Sequence, residues 1–179
     1  MDHQDIIDFW FSEIEPSAWF QKNDDFDRIL RTRFGELHQS ATHCELYSWR
    51  DEPAGRLAEI IVLDQFSRNL YRGDQRAFAT DGIALALAQE AVSIGVDRHF
   101  DIDHKLFLYL PYMHSESSAI HEIAVELFSQ PSMESHLEYE HRHKAIIDRF
   151  GRYPHRNEAL GRQSTPEEIE FMKGPDSSF

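Results

Sequence analysis

The stretch Leu57-Ala-Glu-Ile-Ile-Val-Leu-Asp-Gln-Phe66 is the strongest indication of the fold, because its apolar residues leave almost no polar face. A helix that is hydrophobic on nearly every side must be covered by other parts of the chain. We therefore predict a buried helix over residues 54–72 at the centre of the fold, with Gly73 as its C-terminal cap.

Helical periodicity continues along the rest of the chain, and no alternating run rich in β-branched residues competes with it. The pattern predicts an all-α protein. Consecutive helices joined by short turns further suggest a tetratricopeptide-like α-α superhelix with irregular repeats, although no clean repeat period is visible. The other helices are expected at residues 2–12, 24–41, 80–94, 103–110, 117–129 and 132–150, with a last helix opening at residues 164–168.

Single residues are expected to set several of these boundaries. Pro111 should end one helix, because proline disfavours helical geometry at the residue before it. Ser117 or Ser118 and then Ser132 are candidate N-terminal caps, since a serine side chain can accept hydrogen bonds from the first helical N–H groups. Pro166 should occupy the first turn of the last helix.

Composition limits both the fold and the partners. A chain of 179 residues that is 41% hydrophobic is expected to form a single domain over residues 1–179. A formal net charge of -14 argues against nonspecific nucleic-acid binding, and the longest apolar run, residues 60–63, is far below the ~20 residues of a membrane helix. The single cysteine, Cys44, cannot form an intramolecular disulfide, which favours a cytoplasmic location.

One segment opposes this overall acidity. Between residues 142 and 162 there are six Lys and Arg residues but only two carboxylates. Most of them lie in Arg149-Phe-Gly-Arg-Tyr-Pro-His-Arg-Asn-Glu-Ala-Leu-Gly-Arg162, which we call the basic segment. Such a concentration of arginine requires either internal carboxylate partners or an anionic ligand.

Asp64 stands at a core position of the central helix, on the same stripe as Leu57, Ile60, Ile61 and Arg68. A carboxylate there is costly to bury without a partner, and Arg68 follows at helical i+4 spacing. One interpretation is an internal ion pair that fixes the helix register. The other is that Asp64 orients Arg68 or Arg72 toward a ligand anion.

His143 should likewise face inward, because it shares a helical face with Ile146, Ile147 and Phe150. It is either a hydrogen-bonded core residue or, given the basic segment that follows, part of a site. If the protein is catalytic, His143 or His155 would be the general acid or base and Asp64 or Glu116 would orient it. The ligand-binding candidates are Arg68, Asn69, Arg72, His114, Arg149, Arg152, Arg156 and Asn157.

The 11 histidines do not form a convincing metal site, because none of their clusters has the spacing of known zinc motifs. Nucleophile-elbow, phosphate-loop and dinucleotide motifs are also missing from the sequence. We therefore predict neither a metal nor a cofactor.

Across nearly its whole length the chain resembles the bacterial domain-of-unknown-function family nine-two-four, which is placed among tetratricopeptide-like helical folds. The motifs that carry the resemblance are Asp8-Phe-Trp-Phe11, Trp19-Phe20, Leu63-Asp-Gln-Phe-Ser-Arg-Asn-Leu-Tyr-Arg-Gly73, Arg76-Ala-Phe-Ala-Thr-Asp81, Tyr112-Met-His-Ser-Glu116, the basic segment with His143 before it, Ser164-Thr-Pro-Glu-Glu168 and the terminal Ser-Ser-Phe179. Ser67 and Cys44 replace the family's usual proline and glycine. The resemblance implies the fold but supplies no catalytic residues.

Two functions follow as hypotheses. In the first, the helices enclose a polar pocket that binds a small anionic molecule, with hydrolysis as the default reaction if there is one. In the alternative, the protein is a noncatalytic module whose concave surface binds a protein or peptide. The first hypothesis requires Arg152, His155 and Arg156 to converge with Arg68 or Arg72 on a pocket that solvent can reach. It fails if buried Asp or Glu side chains pair with all of them.

Overall fold

The computed structural model describes residues 1–175 and 177, so Ser178 and Phe179 of the terminal motif lie outside the described residues. The described part is all-α and contains no strand, as predicted. Its α-helices are α1 (His3–Asp8), α2 (Asp24–Thr42), α3 (Pro53–Ile61), α4 (Ser67–Leu70), α5 (Asp81–Ser93), α6 (Ile102–Met113), α7 (Ser118–Phe128), α8 (Glu134–Phe150) and α9 (Pro166–Phe171).

The predicted central helix is present, and it is continuous from α3 to α4 through a π-helical segment, Val62–Phe66. Every residue from 57 to 67 is buried. Helices α1, α5 and α6 pack against α3, while α2 packs against the π-helical segment and α4. The wider π turn leaves backbone groups to be satisfied, and the Ser67 hydroxyl donates to the Leu63 carbonyl at 2.6 Å.

Two groups of apolar side chains hold the helices together. The main core includes Phe66 of the central helix, whose ring contacts those of Trp10 and Phe34, and Phe107, whose ring contacts Trp10. A smaller group, formed by Ile146, Ile147 and Tyr153 with the neighbouring rings of Phe150 and Phe171, joins α8 to the basic segment and α9. The basic segment is therefore fixed by burial at Tyr153 as well as by its charges.

Three predicted boundaries were wrong. The central helix ends at Leu70 with Tyr71 as its C-terminal cap, so Gly73 does not cap it. Pro111 lies inside α6, which continues to Met113, because every residue from 106 to 113 is buried and this packing outweighs the lost backbone hydrogen bond. Ser132 does not cap α8, because its backbone is left-handed with φ 71°, and Met133 takes the cap position. The predicted start of the last helix is confirmed: Thr165 and Glu168 form a capping box.

Helix contacts extend beyond neighbours in sequence, since α1 packs on α3 and α3 on α6. The tetratricopeptide-like superhelix therefore stays a prediction. Cys44, where the resembled family usually has glycine, has φ 58°, a left-handed conformation that glycine adopts most readily. No helix among the described residues has the length and apolar character needed to cross a membrane.

Candidate functional site

A cavity of about 710 Å³ lies between the end of the central helix, α6, α8 and the basic segment. Its apolar wall includes the rings of Trp19, Phe20, Phe78, Tyr139 and Tyr153 together with Leu106, Leu110 and Met113. Its polar wall consists of Lys22, Gln65, Arg68, Asn69, Arg72, Ser135, His114, His136, His143, His155 and Arg156. The cavity is thus lined by residues that are far apart in sequence, from Trp19 to Ala159.

The charge of this wall is one-sided. Lys22, Arg68, Arg72 and Arg156 line the cavity, whereas no Asp or Glu of the described residues does so. The whole protein has a formal net charge of -14, so a wall with only cationic formal charges is a local exception. The carboxylates that partner these arginines lie behind the wall.

Five residues form a closed ring of hydrogen bonds and ion pairs, which we call the charge ring. Asp64 Oδ1 accepts a hydrogen bond from His114 Nδ1 at 2.8 Å and lies 3.1 Å from Arg68 Nη1. Arg68 donates from both terminal nitrogens to Asp81, at 2.9 and 3.1 Å. Arg156 closes the ring by donating to Asp81 Oδ2 at 3.1 Å and to the His114 carbonyl at 3.0 Å.

Each member of the ring is positioned by the end or distortion of a helix. Asp64 belongs to the π-helical segment, and Arg68 follows on α4 at i+4 spacing. Asp81 is the first residue of α5, and His114 is the C-terminal cap of α6. Arg156 ends a short 3₁₀ turn, Pro154–Arg156, in the basic segment. The predicted Asp64–Arg68 ion pair is confirmed, and it is shared with further partners.

Aromatic rings hold Arg156 in place. Its guanidinium carbon lies 4.7 Å from the centroid of the Phe78 ring and 4.5 Å from that of Tyr153. Arg156 is only 6% exposed, and its Nε has no hydrogen-bond partner among the described residues. Burial lowers the pKa of this arginine, and the nearby Arg68 lowers it further. Two rings and two acceptors thus fix the orientation of its fork.

The electrostatics of the ring determine the protonation of His114. Burial alone would raise the pKa of Asp64, but Arg68 and His114 outweigh it and hold this pKa well below its usual range. Burial and Arg68 lower the pKa of His114 more than Asp64 raises it. His114 is therefore neutral near pH 7, with its proton on Nδ1 facing the carboxylate and the lone pair on Nε2.

The other two candidate histidines are also neutral. His143 is buried as predicted, and its Nδ1 donates to the Tyr139 carbonyl at 2.8 Å. Burial lowers the pKa of His143 to about 3 and that of His155 to about 4. Both line the cavity, but Asp64 is hydrogen-bonded to His114 and His143 to the Tyr139 carbonyl. The predicted pairing of Asp64 with a histidine thus involves His114 instead.

Arg72 and Asn69 line the cavity beyond the ring and share one carboxylate from α2. Arg72 donates to both oxygens of Asp27 at 2.5 and 3.1 Å, and Asn69 donates to Oδ1 at 2.9 Å. These bonds join the end of the central helix to α2 and hold the Arg72 guanidinium against the cavity.

Comparison with known proteins assigns the family. The model of "Bacterial protein of unknown function (DUF924)" matches residues 6–176. The chain belongs to this family. The solved structure of ATU0120, a protein of unknown function from Agrobacterium tumefaciens, is 39% identical with a TM-score of 0.90, over 96% of this chain and 97% of that one. No curated protein matches the chain.

Besides Asp64, four predicted site residues of this DUF924 protein lie outside the cavity wall. Glu116 accepts two hydrogen bonds from Arg162, at 2.6 and 2.9 Å, and a third from the Tyr153 N–H at 2.7 Å. The other three hold the basic segment in place: Arg149 pairs with Glu167, Arg152 with Glu168, and Asn157 bonds to Ser164 and Arg162. The basic segment is thus divided: Arg149, Arg152 and Arg162 pair with carboxylates away from the cavity, whereas Arg156 pairs with Asp81 and also lines the cavity.

Sequence reasoning did not single out Asp81, Phe78 or Gln65. Asp81 connects two arginines, Phe78 stacks on Arg156, and Gln65 donates to Asp64 Oδ2 at 2.5 Å. Phe78 and Asp81 lie in the Arg76-Ala-Phe-Ala-Thr-Asp81 motif, and their place in this family motif is the sequence feature that could have indicated a role in the site. Asp81 was missed because an acidic residue in the first turn of a helix, here α5, is already explained by its favourable interaction with the helix dipole.

The described residues contain no group of three or more His, Cys, Asp or Glu side chains that could hold a metal ion. Two histidines outside the cavity wall each hydrogen-bond to a single carboxylate instead. His104 Nδ1 bonds to Asp101 at 2.7 Å, and His121 Nδ1 bonds to Glu140 at 2.6 Å.

Proposed function

We propose that this DUF924 protein binds a small carboxylate or similar anion that carries an apolar, preferably aromatic, body. The observation that supports the proposal most strongly is the cationic wall: Lys22, Arg68, Arg72 and Arg156 line the cavity, and no acidic side chain of the described residues does. The charged group of the ligand would contact the hydrogen-bond donors of the cavity, and its apolar body would contact the aromatic rings.

The arginines are already oriented for such a ligand. Asp81 and the His114 carbonyl hold Arg156, while Asp64 and Asp81 hold Arg68. A guanidinium has five N–H donors, so these bonds leave donors available for a ligand. Because the forks are fixed before binding, little side-chain entropy is lost when an anion arrives.

Apolar groups would provide the rest of the affinity. Phe20 and Tyr139, which are 65% and 53% exposed, line the cavity, and so does Trp19, which precedes Phe20 in sequence. Burying a ligand's ring against these side chains contributes about 25 cal/mol per Å² of apolar surface. We further propose a cytoplasmic setting, which the exposed free thiol of Cys44 suits.

The proposal is tested by calorimetric titration with phenylacetate, benzoate and inorganic phosphate. We expect at least one arylcarboxylate to bind wild type, and Arg156→Gln to weaken it at least about tenfold, since a charge-assisted hydrogen bond contributes about 1.5–3 kcal/mol. Arg149→Gln is the matched control, because Arg149 belongs to the same segment but pairs with Glu167 away from the cavity.

Two outcomes would oppose the proposal. If Arg156→Gln binds the anion as tightly as wild type does, the cationic wall is not the site. The second outcome is that none of the three anions binds, while a peptide library yields a ligand that binds wild type and Arg156→Gln equally well. The alternative, a protein- or peptide-binding module, would then describe the protein better.

A further inference from the structure

We infer that the Asp64–His114 pair makes the cavity the active site of a hydrolase, in which His114 activates water to cleave a carboxylic ester with an apolar acyl group. This inference rests on the proposed function, because the product of such a reaction is an amphipathic carboxylate of the kind the cavity is proposed to bind. It adds a reaction, a substrate class and separate roles for the two residues.

The geometry is that of an imidazole oriented by a carboxylate. His114 lines the cavity, and its Nδ1 lies 2.8 Å from Asp64 Oδ1, while Asp64 itself is 1% exposed and stands behind the wall. The second carboxylate oxygen accepts a hydrogen bond from Gln65, and Arg68 balances its charge. Asp64 therefore fixes the ring orientation and tautomer of His114 without touching the cavity, which makes it a positioning residue.

The proton acceptor is the other ring nitrogen. With the proton held on Nδ1, the lone pair of Nε2 is available, and Nε2 has no partner among the described residues. Neutral His114 is in the form that a general base requires near pH 7, because burial lowers its pKa.

Water is the nucleophile that this arrangement favours. No serine, threonine or cysteine side chain of the described residues hydrogen-bonds to His114, so no side-chain nucleophile is held beside the base. The His114 side chain lines the cavity and is 16% exposed, which allows water to reach it.

The reaction balances with water as the only co-reactant. His114 Nε2 takes a proton from water as the water oxygen bonds to the ester carbonyl carbon, and the carbonyl electron pair moves to its oxygen. The guanidinium groups of Arg68 and Arg156 stabilise that oxyanion. When the intermediate collapses, the C–O bond to the alcohol breaks and the leaving oxygen takes the proton from His114. The products are an alcohol and a carboxylic acid, which ionises to the carboxylate.

The apolar residues that line the cavity indicate which kind of acyl group the ester carries. Phe78 and Tyr153 stack on Arg156, so apolar surface lies directly beside the guanidinium that would hold the oxyanion. Leu110 and Met113, on the helix that ends at His114, also line the cavity. An aromatic or branched aliphatic acyl chain fits this surface, whereas a charged chain would be desolvated there.

The test uses 4-nitrophenyl phenylacetate as substrate and phenylacetate as the binding probe. We expect wild type to hydrolyse the ester above the buffer rate, and His114→Gln to lower kcat by about 10²–10⁴-fold, the usual contribution of a general base. Phenylacetate affinity should change by less than about threefold, because the arginines that bind anions remain. Glutamine can still donate to Asp64, which keeps the fold.

A matched control and a pH profile separate catalysis from structure. His104→Gln alters the other His Nδ1–Asp contact, which lies outside the cavity, and should leave kcat unchanged. In wild type, kcat/KM should fall at acid pH with an apparent pKa below 6.5. Asp64→Asn should move this fall to still lower pH, because Asp64 raises the pKa of His114.

The results distinguish the two proposals. If phenylacetate binds in an Arg156-dependent manner but wild type hydrolyses no ester, the hydrolase inference fails and the binding function stands. If His114→Gln keeps the wild-type kcat, His114 is not the base and the inference is overturned. If phenylacetate does not bind at all, both proposals fail for this ligand class.

Discussion

Replacing Glu168 by glutamine tests whether the contact between the basic segment and α9 stabilises the fold. Glu168 is 2% exposed, and its Oε1 accepts a hydrogen bond from Arg152 Nε at 2.6 Å. Its Oε2 accepts from Arg152 Nη2 at 2.9 Å and from the Thr165 N–H at 2.7 Å. Glutamine has a single acceptor oxygen, so its NH₂ group must face at least one of these donors.

The expected loss follows from these bonds. A hydrogen bond to a charged group contributes about 1.5–3 kcal/mol, and disturbing a helix cap costs about 1 kcal/mol. We therefore expect Glu168→Gln to lower the free energy of unfolding by about 2–4 kcal/mol, which for a chain of this size lowers Tm by roughly 5–15 °C. Urea denaturation monitored by circular dichroism measures the free energy directly.

The adjacent residue provides the control. Glu167 accepts two hydrogen bonds from Arg149, at 3.0 and 2.8 Å, but its side chain is 66% exposed, so water replaces those bonds easily. Glu167→Gln should change the free energy of unfolding by less than about 1 kcal/mol. Equal effects of the two substitutions would refute the conclusion that burial makes Glu168 important.

The effect of Glu168→Gln should also depend on pH. Arg152 lowers the pKa of Glu168 to about 2, from an ordinary value of 4.5. A depressed carboxyl pKa stabilises the folded state above the unfolded pKa, and this contribution disappears as the pH falls. The difference between wild type and Glu168→Gln should therefore be largest above pH 4.5 and shrink toward pH 2.

Three further predictions concern other parts of the fold. Gly55→Ala should destabilise the protein by about 1–3 kcal/mol, because the added methyl overlaps the Trp49 carbonyl, whereas Gly82→Ala, with open space around it, should stabilise α5 by about 0.5–1 kcal/mol in the same urea titration. Burial lowers the pKa of His38 to about 4, so protonation favours unfolding as the pH falls from 6.5 toward 4; His38→Gln should flatten the measured loss of stability there by up to about 1.4 kcal/mol per pH unit. Asp81→Asn leaves two arginines of the charge ring without their shared carboxylate and should cost about 2–4 kcal/mol in thermal or urea unfolding, and a loss below 0.5 kcal/mol would contradict the ring.

Features that depend on neighbours in sequence could be predicted. The apolar run at residues 57–66 predicted the buried central helix, and i+4 spacing predicted the Asp64–Arg68 pair. The start of the last helix at residues 164–168, with Pro166 in its first turn, was also visible in the sequence. Each of these depends on backbone geometry within one or two helical turns.

The charge ring could not be predicted in the same way, because its bonds join distant parts of the chain. Asp64 and His114 are 50 residues apart, and Asp81 and Arg156 are 75 residues apart. No local pattern shows which of the basic segment's arginines faces Asp81 and which face α9. Pro111 failed as a boundary for a related reason, since burial of the whole segment around it overrides a local preference.

The most direct test of the central claim is a crystal structure of the protein grown with 4-bromophenylacetate. The account predicts an anomalous bromine signal inside the cavity among Trp19, Phe20 and Tyr139, with the carboxylate within about 3.2 Å of a guanidinium nitrogen of Arg156 or Arg68. An unoccupied cavity at saturating ligand, or a carboxylate bound only at exposed cations such as Arg149, would contradict it.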